Sequence, residues 1–275
     1  MDKLIINVAV TGIIPTKADN PKVPYTSDEI AEDCYHCYRA GASIFHLHAR
    51  DKEGKPTYRS NQYREIITKV RDRCPDAIIC VSTSGRVFNT FEHRSEVLNL
   101  DGDSKPDMAS LTLGSFNFPG QAVVNEPDMI RSLAEKMGEK GIVPELEVFD
   151  LGMVDYAKYL IEKEILNKPF YFNLLLGSLG TLSATPFQLA TLVKSLPSDT
   201  TWAGTGIGKF QFPINAMSIT MGGHVRIGLE DSIYMDADKQ RLATNVDLVE
   251  RLVKLSHAAE REICKPNEAR KIIGL

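Results

Sequence analysis

A (β/α)8 TIM barrel is the fold this sequence predicts, as one domain over residues 1–275. Eight runs rich in Val, Ile, Leu and Phe alternate with amphipathic stretches from end to end, the pattern of parallel strands covered by helices. No low-complexity segment or linker divides them. The length of 275 residues is close to the roughly 250 typical of such barrels, which favours a closed sheet over an open doubly wound one.

The predicted strands are Leu4–Val10, Ser43–His48, Ala77–Ser82, Met108–Thr112, Val143–Phe149, Phe170–Leu176, Thr201–Gly206 and His224–Glu230. After the first, Thr26-Ser27-Asp28-Glu29 is a capping box in which Thr26 and Glu29 satisfy each other's orphan backbone donors, and Gly41 supplies the stop. Near the C-terminus, Leu248, Val249, Leu252 and Val253 form an apolar stripe after Asn245. That spacing predicts a final helix capped by Asn245 and packed on the sheet.

The formal charge of −4, from 32 basic and 36 acidic residues, leaves no basic surplus for a nucleic-acid backbone. A small molecule is the expected partner. The N-terminus lacks a secretory pattern and no apolar run approaches a membrane span, so a cytoplasmic location is expected. Five irregularly spaced cysteines do not suit a disulfide framework. Cys34 and Cys37 form a lone C-x-x-C inside a predicted helix and read as structural.

Barrels of this kind carry chemistry at the C-terminal ends of their strands. There the second strand ends in His46-Leu47-His48-Ala49-Arg50-Asp51, and alternation puts both imidazoles on one face. A bare His-x-His is more often structural than a metal site, so a third ligand is required. Alternation along the last strand assigns Arg226 and Glu230 to the lumen. Glu230 then completes a set of two imidazoles and a carboxylate with an open position, the arrangement of a catalytic zinc. Its competing role is as a lumen partner of Arg226. Asp231 is the candidate general base, with Arg226 beside it to stabilise the carboxylate or hold a substrate; a helix N-cap is the alternative.

Other strand ends offer substrate contacts. Ser82 and Ser84 share a face, and Gly85 lets backbone amides approach an anion, so a substrate carboxylate fits there. Ser110 and Thr112 lie on one face of the fourth strand, and Glu145 and Glu147 on one face of the fifth. A lumenal glutamate needs a partner, such as Arg226 or a serine. Gly206 and Gly208, in the glycine-rich run after the seventh strand, are candidates for phosphate contact, or simply a tight turn.

Together these segments resemble the β-keto acid cleavage enzymes, a family that includes the 3-keto-5-aminohexanoate cleavage enzymes. The likeness runs through Thr11-Gly12, Ala40-Gly41-Ala42-Ser43, His46 to Asp51, Pro144 to Glu147 and Gly222 to Asp231. It implies a zinc-dependent barrel, usually a homotetramer, that converts a β-keto acid and acetyl-CoA into acetoacetate and a new acyl-CoA. It also implies His46, His48 and Glu230 as zinc ligands, Asp231 with Arg226 as the acid/base pair, and Ser82 as a substrate contact. A barrel aldolase or hydrolase that uses metal but no CoA is the rival reading, and a non-catalytic metal- or metabolite-binding protein is the third. In the aminohexanoate enzymes an acidic residue after the first strand holds the substrate ammonium, whereas Ile14 stands at that position here. The difference predicts a neutral or apolar substituent on the substrate, unless Asp19 in the same loop takes the acidic role.

Overall fold

The computed structural model describes residues 2–275. The strands are β1 (Ile6–Ala9), β2 (Ile44–Leu47), β3 (Ile78–Val81), β4 (Met108–Thr112), β5 (Phe116–Phe118), β6 (Gln121–Val123), β7 (Val143–Val148), β8 (Phe170–Leu176), β9 (Thr200–Gly206) and β10 (His224–Ile227). The helices are α1 (Ser27–Ala40), α2 (Ser60–Arg73), α3 (Phe91–Ser95), α4 (Pro127–Lys140), α5 (Leu151–Glu162), α6 (Pro186–Ser195), α7 (Gln211–Thr220), α8 (Asn245–Ala258) and α9 (Pro266–Ile273). All strands but β5 and β6 close into a parallel barrel in the order β1-β10-β9-β8-β7-β4-β3-β2. The predicted eight-stranded (β/α)8 architecture is therefore the observed one. No helix among the described residues is long and apolar enough to cross a membrane.

Two apolar layers hold the fold. The larger lies between the sheet and its helices and includes Phe45, Leu47, Ile79, Val81, Leu146, Phe172, Leu248 and Leu252. The smaller fills the bottom of the lumen with Ile5, Ile44, Ile78 and Met108, closed from below by Ala269 and Ile273 of α9. Burying branched side chains of this kind stabilises by about 1.5–3 kcal/mol each, so the lumen floor is a packed core and not a pore.

Local signals behave as their chemistry predicts at α1. Thr26 Oγ1 accepts from Glu29 N–H at 3.2 Å, Glu29 Oε2 accepts from Thr26 N–H at 3.1 Å, and Gly41 ends the helix at φ 122°. Cys34 and Cys37 are buried on this helix, and all five cysteines are free thiols.

Three features differ from the sequence expectation. Thr244, not Asn245, caps α8, its hydroxyl accepting from Asp247 N–H at 3.1 Å. Asn245 is fully buried and has another task, described below. The helix α8 is also not the last, because α9 follows and plugs the barrel. Finally, β10 stops at Ile227 instead of Glu230. At Gly228 the backbone turns to φ 150°, and a Cβ there would lie 2.1 Å from the Ala9 carbonyl oxygen. Only glycine permits that approach.

Candidate active site at the C-terminal mouth of the barrel

Strand register gathers the polar lumen. Ala9 pairs with His46, Asn7 with Arg226, Ser110 with Glu145 and Thr112 with Glu147. His46 Nδ1 lies 2.7 Å from Glu145 Oε2, leaving its Nε2 only 3.3 Å from His48 Nε2. His48 Nε2 in turn lies 3.2 Å from Glu230 Oε2. Donor atoms of His46, His48 and Glu230 all fall within 4.8 Å of one another. Glu230 Oε2 is buried without a hydrogen-bond partner. A buried carboxylate oxygen left unpaired beside two ring nitrogens is costly unless a cation joins them, so the residues fit a divalent ion.

A second set, His46, Cys80 and Glu145, shares one histidine. Burial, reinforced by Glu145, pushes the Cys80 thiol well up, which keeps it protonated and poor as a ligand. Its Sγ donates to Glu145 Oε2 at 3.5 Å. Glu145, also held by Asn7 Nδ2 at 2.6 Å, serves as the carboxylate that orients the His46 ring.

Glu230 reaches the histidines from a turn, not from the strand. Its N–H donates to the Ala9 carbonyl at 3.2 Å, and the preceding Leu229 N–H donates to Asn245 Oδ1 at 2.8 Å. Asn245 Nδ2 donates to the Val10 carbonyl at 2.9 Å and to Asp33 Oδ2, so one buried amide ties this turn to β1 and α1. Gly12, at φ 67°, lets the β1 loop pass alongside: a Cβ there would sit 2.6 Å from Glu230 Cγ.

Arg226 is the electrostatic centre. Its Nη2 donates to Glu230 Oε1 at 2.9 Å, its Nη1 to Glu147 Oε1 at 3.1 Å, and its Nε to Asp231 Oδ2 at 3.2 Å. Glu145 Oε2 is 3.7 Å from Nη1. Burial alone lowers an arginine's pKa, but Asp231, Glu230, Glu145 and Glu147 together hold this one well above its ordinary value. Burial, helped by Glu230 and opposed by Arg226, pushes Asp231 up to about 6. Asp231 is no helix cap, since no helix starts there.

These groups line a cavity of about 330 Å³ with Ile13, Ile14, Ser82, Ser84, Gly85 and Thr112. Glu147 accepts from Thr112 Oγ1 at 2.7 Å, giving that lumenal glutamate both a hydroxyl and an arginine partner. Ser110 is not on the cavity wall. It lies one layer deeper, where its Oγ accepts from Thr83 N–H at 3.1 Å. Nor do Gly206 and Gly208 form a phosphate cradle at this cavity. Gly206 packs against the 208–210 turn, with a Cβ position 2.0 Å from the Phe210 carbonyl oxygen, and Gly208 N–H is spent on the Asp231 carbonyl at 2.8 Å. Both glycines lie in a tight turn. Asp19 likewise stands apart, its Oδ2 accepting from Thr16 N–H at 2.9 Å and Thr16 Oγ1 at 2.7 Å.

The β5–β6 hairpin escapes the strand pattern and roofs the cavity. Phe116 stacks on Phe149 with ring centroids 3.9 Å apart, and Phe118 meets the same ring edge-on at 6.0 Å. Pro119-Gly120 between two short β-prone triplets was its available signal; Gly120 takes φ 96° at this turn.

The model of the beta-keto acid cleavage enzymes matches residues 3–275. The chain belongs to this family. It is 43% identical over 277 residues to the 3-keto-5-aminohexanoate cleavage enzyme of Fusobacterium nucleatum, covering 100% of this chain and 99% of that one. A 3-oxoadipate:acetyl-CoA acetyltransferase of Cupriavidus necator is 35% identical, with 98% of this chain and 94% of that one covered. Among solved structures, the ternary complex of ObcA with C4-CoA adduct and oxalate superposes with a TM-score of 0.83 at 23% identity, over 93% of this chain and 68% of that one. That likeness concerns the fold. As a family member the chain is a β-keto acid cleavage enzyme, which removes the non-catalytic reading.

Proposed function

We propose that the enzyme converts a β-keto acid and acetyl-CoA into acetoacetate and a new acyl-CoA, with Zn2+ held by His46, His48 and Glu230. The observation that carries this is the convergence of two imidazole nitrogens and an unpaired carboxylate oxygen beside an arginine-paired Asp231. A zinc ion on these ligands supplies a Lewis acid for a keto oxygen. Asp231, held by Arg226, takes a proton from the carbon between the keto and carboxylate groups. The enolate carbon attacks the thioester carbonyl of acetyl-CoA, forming a carbon–carbon bond. The CoA sulfur then moves to the original keto carbon, and cleavage of the adjacent carbon–carbon bond releases the acyl-CoA. The acetoacetate enolate takes back the proton from Asp231. Arg226 keeps Asp231 ionised and in place through these transfers.

Ser82, Gly85, Thr112 and Glu147 would form the wall against which the acid lies. Ile14, 56% exposed at the rim, offers nothing to an ammonium group, and Asp19 is already committed to Thr16. The substrate's far end is therefore neutral or apolar. We also place the protein in the cytoplasm as a homo-oligomer, as a tetramer, without nucleic-acid or membrane partners. Exposed Leu179 and Phe187, at 72% and 75%, support association, and light scattering tests it.

Elemental analysis of purified protein, combined with a panel of β-keto acids with and without acetyl-CoA, tests the reaction. Acetoacetate is expected only when both substrates are present, with amine-bearing acids the poorest. Turnover indifferent to CoA would favour a metal-dependent aldolase or hydrolase.

A further inference from the structure

A β-keto acid is an anion, and beside the metal that His46, His48 and Glu230 would hold, its carboxylate enters a cavity also lined by Glu147 and Asp231. Arg226 cannot neutralise it, because four carboxylates already surround that guanidinium. Arg86 is the other arginine on the cavity wall. Among the described residues it makes no ion pair and no side-chain hydrogen bond, and its Nε is buried without a partner. Its guanidinium lies over the Phe118 ring, 4.2 Å from the centroid. Stacking holds the plane by one face and leaves the N–H edge free for a carboxylate.

Residues 82, 84 and 86 form a ladder beyond β3. Ser84 N–H donates to Ser82 Oγ at 3.2 Å, and Arg86 N–H donates to Ser84 Oγ at 3.3 Å. Each hydroxyl oxygen thus accepts from the backbone and keeps its own proton to donate. All three side chains line the same cavity. Two hydroxyl donors and a guanidinium edge match the two oxygens of a carboxylate.

We infer that Arg86 is the cationic partner of the β-keto acid's carboxylate where it lies against Ser82 and Ser84, and so sets the orientation in which the keto group meets His46, His48 and Glu230. The inference rests on the function proposed above. A CoA phosphate presents similar chemistry, and the acetyl-CoA and S-acetylpantetheine measurements below separate the two.

Arg86→Met keeps an apolar stem on Phe118 and removes the charge; Arg86→Gln provides a second variant should the first not fold. Calorimetric binding of 3-hydroxybutyrate and of its neutral amide to metal-loaded protein needs no turnover. Wild type is expected to prefer the acid, and either variant to lose about 10- to 100-fold in affinity for the acid but not for the amide. Arg86→Lys should retain part of the difference. In steady state the KM for the β-keto acid rises while that for acetyl-CoA stays unchanged. The assignment is overturned if wild type does not distinguish acid from amide, or if acid and amide weaken equally. It is also overturned if the defect lies in the KM for acetyl-CoA and disappears with S-acetylpantetheine, which carries no phosphate. An acid/amide difference that depends on Arg86, in a protein making no acetoacetate, would sink the proposed reaction and leave this carboxylate site standing.

Discussion

The two ends of the barrel lumen are built on opposite principles. The floor is Ile5, Ile44, Ile78 and Met108 sealed by α9, where burial and shape supply stability. The upper layers hold Asn7, His46, Glu145, Glu147 and Arg226, almost all removed from water. Every charge there opposes folding unless its partners are in place. Stability and chemistry are therefore separated along one axis, a few ångströms apart on the same strands: Ile44 and His46 are two residues apart on β2. Substitutions at the two ends should then fail in different ways.

The largest effect belongs to Asp231. Asp231→Asn keeps the size of the side chain but not its basicity, and kcat is expected to fall by about 100- to 10,000-fold. Metal content should remain at the wild-type level, since the set His46, His48 and Glu230 is untouched. Metal lost in proportion to activity would show that Asp231 acts as a ligand or a prop and not as the base. At the floor, Ile78→Ala should cost about 2–5 kcal/mol of stability through the cavity it leaves, read as an unfolding midpoint in urea. The kcat/KM of the fraction that remains folded should match wild type. A fall in kcat/KM without a shift in the midpoint would break the separation of the two ends.

Legibility in the sequence follows the same division. Strands buried on both faces advertise themselves as branched apolar runs, so all eight barrel strands were readable, with ends displaced by a few residues. The pair His46 and His48 was readable because period-two alternation survives to the end of β2. Glu230 was reached by extending that alternation through Gly228, past the strand's actual end at Ile227. It arrives at the site by a turn whose position Ala9 and Asn245 fix. Asn245 itself looks like a cap from local spacing, because its partners at Val10, Asp33 and Leu229 are remote in the chain or separated by a loop. Glu145 was visible as a lumen carboxylate, but its pairing with His46 depends on register across β2, β3, β4 and β7. Ser110 fell on the correct face and the wrong layer, a distinction that alternation does not encode.

The smallest effect concerns the outer support of the upper layer, and it is one of pH. Burial pushes Asp33 up to about 6, against the hydrogen bond from Asn245 and the nearby His36. An unfolded aspartate titrates near 3.9, so between about pH 4 and pH 6 the folded chain holds more protons than the unfolded one. For this group stability is therefore greatest at the acid end of that window and falls as pH rises through it, staying level above. Asp33→Asn has no proton to lose, and its side-chain carbonyl can still accept from Asn245 Nδ2. The variant should equal wild type near pH 3.5 and exceed it by about 1–2 kcal/mol at pH 7, less than the full shift corresponds to because the side chain keeps some contact with water. Urea midpoints across pH 3.5 to 7.5 measure the difference. A gap that does not change with pH would mean that Asp33 ionises in the folded protein as readily as in the unfolded chain. The turn carrying Glu230 would then be braced by a charge across the whole range rather than by a neutral hydrogen-bonded pair below about pH 6, and the upper layer would reach outward to α1 as an ionic network instead of ending at Asn245.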